Sequence, residues 1–317
     1  MTRWIAGIGV ALAMAGTCEL QASEFSDKIQ ASFDAGNPKP TKIFKLRDQV
    51  EVHYFAPTQP IESGNNPAFV YIHGGGWRGG NPKGSYRWCR YLAEHGVSVF
   101  TIRYQRANEK KGIKPIQCVK DAKTAMRWVR ANAKKFGINP DKIAVAGNSA
   151  GGHLATALVT IKNYTDAGDD LSVSCRPDLL LLASPVIDNG PGGYGNGHPT
   201  TKQADYRVKG FWRDFSPIHN LNKNLPDSFV IMGDEDPLIR VVSVELFGQA
   251  VAESSSEFEW WVFPGKGHGL FSSKESYLTP ELMHIFYRWH VFLAKHEYLP
   301  APLSAGDEVQ TLVEKKN

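Results

Sequence analysis

Short, predominantly apolar runs recur along the chain: Ala68 to Ile72, which is continuous, Val97 to Tyr104, the run entering Gly147, Leu179 to Ser184, Ser228 to Met232 and Phe258 to Phe263. Runs of this kind predict strands covered on both faces. Between them apolar side chains return every three or four positions, which predicts helices. These are Tyr86 to His95 closed by Gly96, Ile116 to Phe136 capped by Gly137, Leu154 to Ile161, Val241 to Ala252 and Leu282 to Lys295. The second carries Val119, Ala122, Ala125, Met126 and Val129 at helical spacing. Lys42 to Leu46 and Val50 to Phe55 alternate apolar and polar residues across Arg47-Asp48-Gln49, which predicts an antiparallel hairpin with one buried face. Strands alternating with helices imply an α/β fold, a mostly parallel sheet with helices on both faces.

Other stretches lack a period. Ser23 to Pro40 is polar with Gly and Pro and reads as a loose lead-in. Asp188 to Asn224 is long, rich in Gly and Pro, and aromatic at Tyr194, Tyr206, Phe211, Trp212 and Phe215. A connection of that length is expected to be a lid or substrate loop. Residues 301–317 form a polar tail. No repeat and no second domain is evident, so residues 23–300 read as one domain.

The first 22 residues change the picture of compartment. Arg3 precedes the apolar stretch Ile5 to Met14, and Leu20-Gln21-Ala22 ends in a small residue before Ser23, as in an export signal. The apolar stretch is too short for a stable membrane span. A secreted or periplasmic protein is expected. Of the four cysteines, Cys89, Cys118 and Cys175 would remain, enough for at most one intrachain bridge. No spacing suits a metal, and no cofactor is expected. The composition is 42% hydrophobic and 21% charged, ordinary for a globular protein able to bury a core. Net charge is +4 without a Lys/Arg cluster, which argues against nucleic acid as a partner.

Chemistry gathers after the strands. Lys142 to Asn148 runs into Ser149 within Gly147-Asn148-Ser149-Ala150-Gly151, and a helical pattern follows. A strand passing into a helix through so tight a turn strains its middle residue and lifts that side chain clear of the sheet. The helix N-terminus behind it favours negative charge. His73-Gly74-Gly75-Gly76-Trp77 follows another strand, and its glycines let backbone N–H groups point inward. Gly75 and Gly76, with Ala150, are candidate oxyanion donors. His268 lies between glycines after the last strand and is the candidate base, since an imidazole accepts a proton at neutral pH. Asp234, Glu235 and Asp236 compete to orient it. Asp236 is favoured because it lies beyond the turn closed by Gly233 and because Pro237 biases its backbone to an extended form. Asp234 is expected to cap its own turn. Trp77, Phe211, Trp212 and Phe271 are candidates to line the substrate.

These motifs resemble the α/β-hydrolase superfamily, in particular the hormone-sensitive-lipase-like esterases and bacterial feruloyl- and acetyl-xylan-esterase-like domains. The resemblance spans roughly residues 40 to 298. It implies Ser149 as nucleophile, Asp236 as acid, His268 as base, and oxyanion donors at Gly75 and Gly76. His73 and His153 are then structural hydrogen-bonders. Two positions depart from the pattern: Asn148 where many members have Asp, Gly or His, and Arg240 in place of a proline that often follows the acid. The function implied is an exported serine esterase acting on short acyl esters, with small-molecule or carbohydrate esters as partners. Kynurenine formamidases share both motifs, so an amidase-type hydrolase is the alternative. A catalytically dead hydrolase fold used for binding is the third reading.

Overall fold

A computed structural model describes residues 18–59, 65–199, 207–271 and 278–300. Eight strands form one sheet in the order β1-β2-β4-β3-β5-β6-β7-β8. They are β1 (Lys42–Arg47), β2 (Val50–Phe55), β3 (Asn66–Ile72), β4 (Ser98–Arg103), β5 (Ile138–Asn148), β6 (Leu179–Ala183), β7 (Asp227–Gly233) and β8 (Phe258–Phe263). The β1–β2 and β2–β4 pairs are antiparallel, and every pair from β4 through β3 to β8 is parallel. This is the expected mostly parallel sheet with an N-terminal antiparallel hairpin.

The sheet separates two cores, and β3 shows how. Ala68, Val70 and Ile72 point into one core, Phe69 and Tyr71 into the other. The pleat sends successive side chains to opposite faces, so a strand covered on both sides must be apolar throughout. The first core is closed by α3 (Ile116–Ala131), the short α4 (Ala133–Phe136), α5 (Ala150–Thr160) and α7 (Val241–Glu253). The second lies under α1 (Cys18–Asp34), α2 (Tyr86–Glu94) and α8 (Pro280–Lys295).

α1 corrects the expectation of a loose lead-in. Phe25, Ile29 and Phe33 recur every fourth position and are buried on one helix face. The Phe25 ring meets Tyr91, Tyr287 and His290 edge-on at 5.7, 5.3 and 5.6 Å between centroids. Arg90 donates to the carbonyls of Ser32 and Gly36, at the C-terminal end of the helix where free carbonyls collect. Helix α1 runs through the expected cleavage point after Ala22. Residues 1–17, which carry most of the expected export signal, lie outside the described residues, as does the polar tail 301–317.

The stretch from Asp188 to Asn224 is more structured than its sequence suggests. It contains α6 (Trp212–Phe215) and a 3-10 turn at Pro217–Asn220. Asn189, Asn196, His198, Val208, Phe215 and Ser216 are buried. Asn189 Nδ2 donates to the Tyr194 carbonyl at 2.7 Å, and Asn196 Nδ2 to the Asn189 carbonyl at 2.9 Å. Amide side chains here replace the backbone ladder a strand would have supplied. Residues 200–206 within it, Tyr206 included, lie outside the described residues.

Candidate active site

The carboxyl ends of β3, β5, β7 and β8 deliver the four reactive loops to one edge of the sheet, as parallel topology requires. β5 runs directly into Ser149, whose φ of 53° and ψ of −122° lie outside the regions a side chain ordinarily occupies. Such a conformation costs of order 1–3 kcal/mol and persists only when its surroundings enforce it. Here the Ser149 N–H donates to the Ala183 carbonyl at 2.9 Å. The Ser149 carbonyl accepts from the His153 and Val186 amides at 3.0 and 3.1 Å. Gly151 allows the close approach behind it, because a Cβ there would lie 2.0 Å from the Ile72 carbonyl oxygen.

His268 Nε2 lies 2.8 Å from Ser149 Oγ, and His268 Nδ1 lies 2.8 Å from Asp236 Oδ2. A carboxylate only accepts, so Nδ1 carries the proton and Nε2 presents its lone pair to the serine hydroxyl. The Asp236 side chain is fully buried, the His268 side chain is 22% exposed, and Ser149 is 9% exposed. The other Asp236 oxygen, Oδ1, accepts from the Leu238 and Ile239 amides at 2.9 and 3.0 Å. The acid is therefore held by its own following turn. Of the three competing carboxylates, Asp236 is the one bonded to His268.

Asp234 departs from its expected role. Its Oδ1 accepts from the Gly265 amide at 2.6 Å, so it ties the acid loop to the histidine loop and does not cap its own turn. The two loops are in backbone contact as well, through Glu235 N–H to the Lys266 carbonyl at 3.0 Å. A Cβ on Gly233 would lie 1.9 Å from that same carbonyl oxygen, which explains a glycine at the strand end.

Gly75 and Gly76 have φ of 117° and 58°. The Gly75 carbonyl closes a tight turn, accepting from the Arg78 and Gly79 amides at 3.1 and 2.8 Å. Arg207 Nη1 donates to the Gly76 carbonyl at 2.6 Å, with its guanidinium 5.4 Å from the centre of the Tyr194 ring. Among the described residues, the N–H groups of Gly75, Gly76 and Ala150 have no protein acceptor. Unspent amides at a helix start and a glycine turn are what an oxyanion requires.

Trp77 is a correction. Its side chain has no exposed surface and so offers no face to a substrate. A φ of 61° turns it under the loop, where the ring packs against His153, Tyr194 and Phe215 at 5.1, 5.6 and 5.3 Å. Phe211, Trp212 and Phe271 are half-buried. Phe211 packs edge-on against Phe215, Trp212 against His219, and Phe271 stacks on Tyr71 at 5.7 Å. His73 and His153 serve packing and hydrogen bonding. His73 Nδ1 lies 2.8 Å from the Gly74 carbonyl and its ring stacks on Tyr104 at 4.3 Å. His153 Nε2 lies 2.8 Å from the Phe215 carbonyl. Burial pushes the His73 imidazole down to about 4 and His153 down to about 3, so both are neutral at ordinary pH.

Three polar residues at the site carried no recognisable sequence signal for what they touch. Asn148 contacts two of the loops. Arg207 lies in an aperiodic segment. Arg240 Nη2 pairs with Asp188 Oδ2 at 2.7 Å, joining the start of the long loop to the acid loop. Cys89, Cys118 and Cys175 are all free thiols. Among the described residues no group of three or more His, Cys, Asp or Glu side chains could hold a metal, and no helix is long and apolar enough to cross a membrane.

A family model described as alpha/beta hydrolase fold matches residues 69–272. The chain is 30% identical to Esterase LipC of Mycobacterium tuberculosis, over 67% of this chain and 54% of the relative. It is 32% identical to an arylesterase of Saccharolobus solfataricus, over 69% of this chain and 72% of the relative. With an acetylxylan esterase of Xylanibacter ruminicola the identity is 25%, over 68% and 42%. Several of these relatives are longer proteins, and the match to a xylanase B of Butyrivibrio fibrisolvens spans only 29% of that protein. Among solved structures, apo esterase 2 of Thermogutta terrifontis superposes with a TM-score of 0.71 at 26% identity, over 83% of this chain and 97% of its own. The span of the family model holds both glycine motifs and the bonded Ser149, Asp236 and His268. The chain belongs to the α/β-hydrolase family.

Proposed function

We propose that this protein is a serine carboxylic-ester hydrolase acting on short-chain acyl esters. The observation that carries the reading is the continuous relay from Ser149 Oγ through His268 to Asp236, each bond 2.8 Å. Ser149 Oγ attacks the acyl carbon as His268 Nε2 takes its proton. The carbonyl electrons move onto oxygen, where the amides of Gly75, Gly76 and Ala150 receive the charge; one such donor is typically worth about 3–4 kcal/mol. The imidazolium, steadied by Asp236, gives its proton to the departing alcohol, leaving an acyl-serine. Water, deprotonated by His268, then attacks the acyl carbon, and Ser149 leaves as the hydroxyl with the proton returned. The relatives named as esterases support this reading.

The finer reading is an exported enzyme whose esters are acetyl or feruloyl groups on carbohydrate. The N-terminal Arg3 and the apolar stretch behind it support export. Similarity to an acetylxylan esterase supports the substrate class. The test is hydrolysis of p-nitrophenyl acetate, acetylated xylan, methyl ferulate and N-formylkynurenine by the parent and by Ser149→Ala. Loss of all ester hydrolysis in a folded Ser149→Ala protein is expected, since removing a triad member costs several powers of ten. Retention of more than about a tenth of parent activity would overturn the assignment. Faster turnover of N-formylkynurenine than of every ester would favour the amidase reading.

A further inference from the structure

The residue before the nucleophile touches more of the site than its place in the motif explains. Asn148 ends β5 and is half-buried. Its Oδ1 accepts two hydrogen bonds, from the Gly74 amide at 2.8 Å and from the Tyr71 hydroxyl at 2.8 Å. Its Nδ2 donates to the Phe271 carbonyl at 3.4 Å. Gly74 belongs to the oxyanion loop. Phe271 closes the short helical turn that begins at His268. The Phe271 ring stacks on the Tyr71 ring, closing a circuit of three residues, Asn148, Tyr71 and Phe271.

We propose that Asn148 is a positioning residue: its one amide holds the oxyanion loop and the histidine loop to the strand that presents Ser149. The orientation of the amide is fixed by chemistry. A backbone N–H only donates, so the group facing Gly74 must be the oxygen, and the nitrogen must then face the Phe271 carbonyl. The site thus requires an acceptor and a donor on a single planar group. Aspartate has the same shape but no hydrogen to give at neutral pH. It would keep Gly74 and Tyr71 and set a negative charge against the Phe271 carbonyl. Alanine would keep neither tie, and would leave the Gly74 amide and the Tyr71 hydroxyl without their acceptor.

Asn148 touches no reacting atom, so its effect passes through the placement of other groups. Misplacement of such groups by about 1 Å can cost about a hundredfold in rate. The inference rests on the Ser149 reading above, and Ser149→Ala measured in parallel separates the two: an active Ser149→Ala protein removes that reading, not this one alone. Steady-state kinetics on p-nitrophenyl acetate, with thermal melting of each variant, form the test. Asn148→Ala is expected to lower kcat by about a hundredfold with KM within about threefold of the parent. Asn148→Asp is expected to fall between the two, because it keeps one of the two loop ties. A split confined to kcat is the signature of placement; a residue serving only stability would move the melting temperature and leave kcat of the folded fraction alone. The inference is overturned if folded Asn148→Ala keeps at least half the parent kcat, or if the loss appears in KM alone. It is also overturned if Asn148→Asp matches the parent, since the amide hydrogen would then do nothing. Should the alanine variant fail to fold, the isosteric aspartate variant decides.

Discussion

Asp236 divides its two carboxylate oxygens between two tasks, and His268 receives only one of them. Oδ2 takes the His268 Nδ1 proton, while Oδ1 is occupied by two amides of its own chain. The carboxylate cannot rotate without giving up both amide bonds. The imidazole orientation is therefore set in part by the backbone amides of Leu238 and Ile239.

From this arrangement Asp236→Asn is expected to lower kcat by about 10³ to 10⁴, because the amide nitrogen can donate to Nδ1 and so favour the wrong tautomer. Asp234→Asn is expected to keep kcat near the parent value. Its cost falls on stability, about 1 kcal/mol for the weakened bond to the Gly265 amide. Both variants measured at saturating substrate, with denaturant melts, check the pair. A crippled Asp234→Asn beside a normal Asp236→Asn would reverse the roles.

Trp77→Ala is expected to lower stability by about 3–5 kcal/mol, the usual cost of removing a large ring from a closed core. The ring is sealed between His153, Tyr194 and Phe215. If the variant instead melts like the parent and its only defect is a raised KM, the ring contacts substrate after all.

Acid should loosen the fold through its buried histidines. Burial holds His73 and His290 at about 4 and His153 at about 3, below the value near 6.5 of an exposed imidazole. Between those limits the unfolded chain binds more protons than the folded one, so stability rises with pH. The contribution is complete above about pH 6.5 and is lost as pH falls toward 4, at up to about 1.4 kcal/mol per pH unit for each histidine. Urea melts from pH 4 to 7 test this. His153→Phe is expected to flatten the slope; an unchanged slope would assign the acid sensitivity to other groups.

A preference for short acyl chains is expected from the long loop, which is polar and amide-braced where a broad apolar trough would serve long chains. A panel of p-nitrophenyl esters from acetate to octanoate gives the answer. Higher kcat/KM on octanoate than on acetate or butyrate would contradict it.

Much of this architecture is legible in the sequence because it repeats local rules. β3 from Ala68, β6 and the second half of β5 from Ile143 announce themselves as unbroken apolar runs, and Ser149 sits where strand passes into helix between glycines. Asp236 over Asp234 was also within reach, since Pro237 restricts its backbone. What escaped depends on partners far away in the chain. Phe25, Ile29 and Phe33 hold helical spacing within a polar stretch, and only α2 and α8 give that spacing a use. Trp77 reads as a ligand-facing aromatic until its positive φ turns it inward. Asn148 and Arg207 act through contacts with residues distant in the chain, which leave no pattern in a sequence.

The docking of α1 has a consequence for the order of assembly. Phe25 packs on Tyr287 and His290, so the first helix described and the last one bury each other. Contacts this distant along the chain form slowly, because a long loop must close before they contribute. A chain emerging from its N-terminus therefore has only α2 to cover the apolar face of α1 until α8 has been made. Loss of residues 280–300 would uncover the part of that face that α8 covers. The two helices are made far apart in time, and each completes the burial of the other.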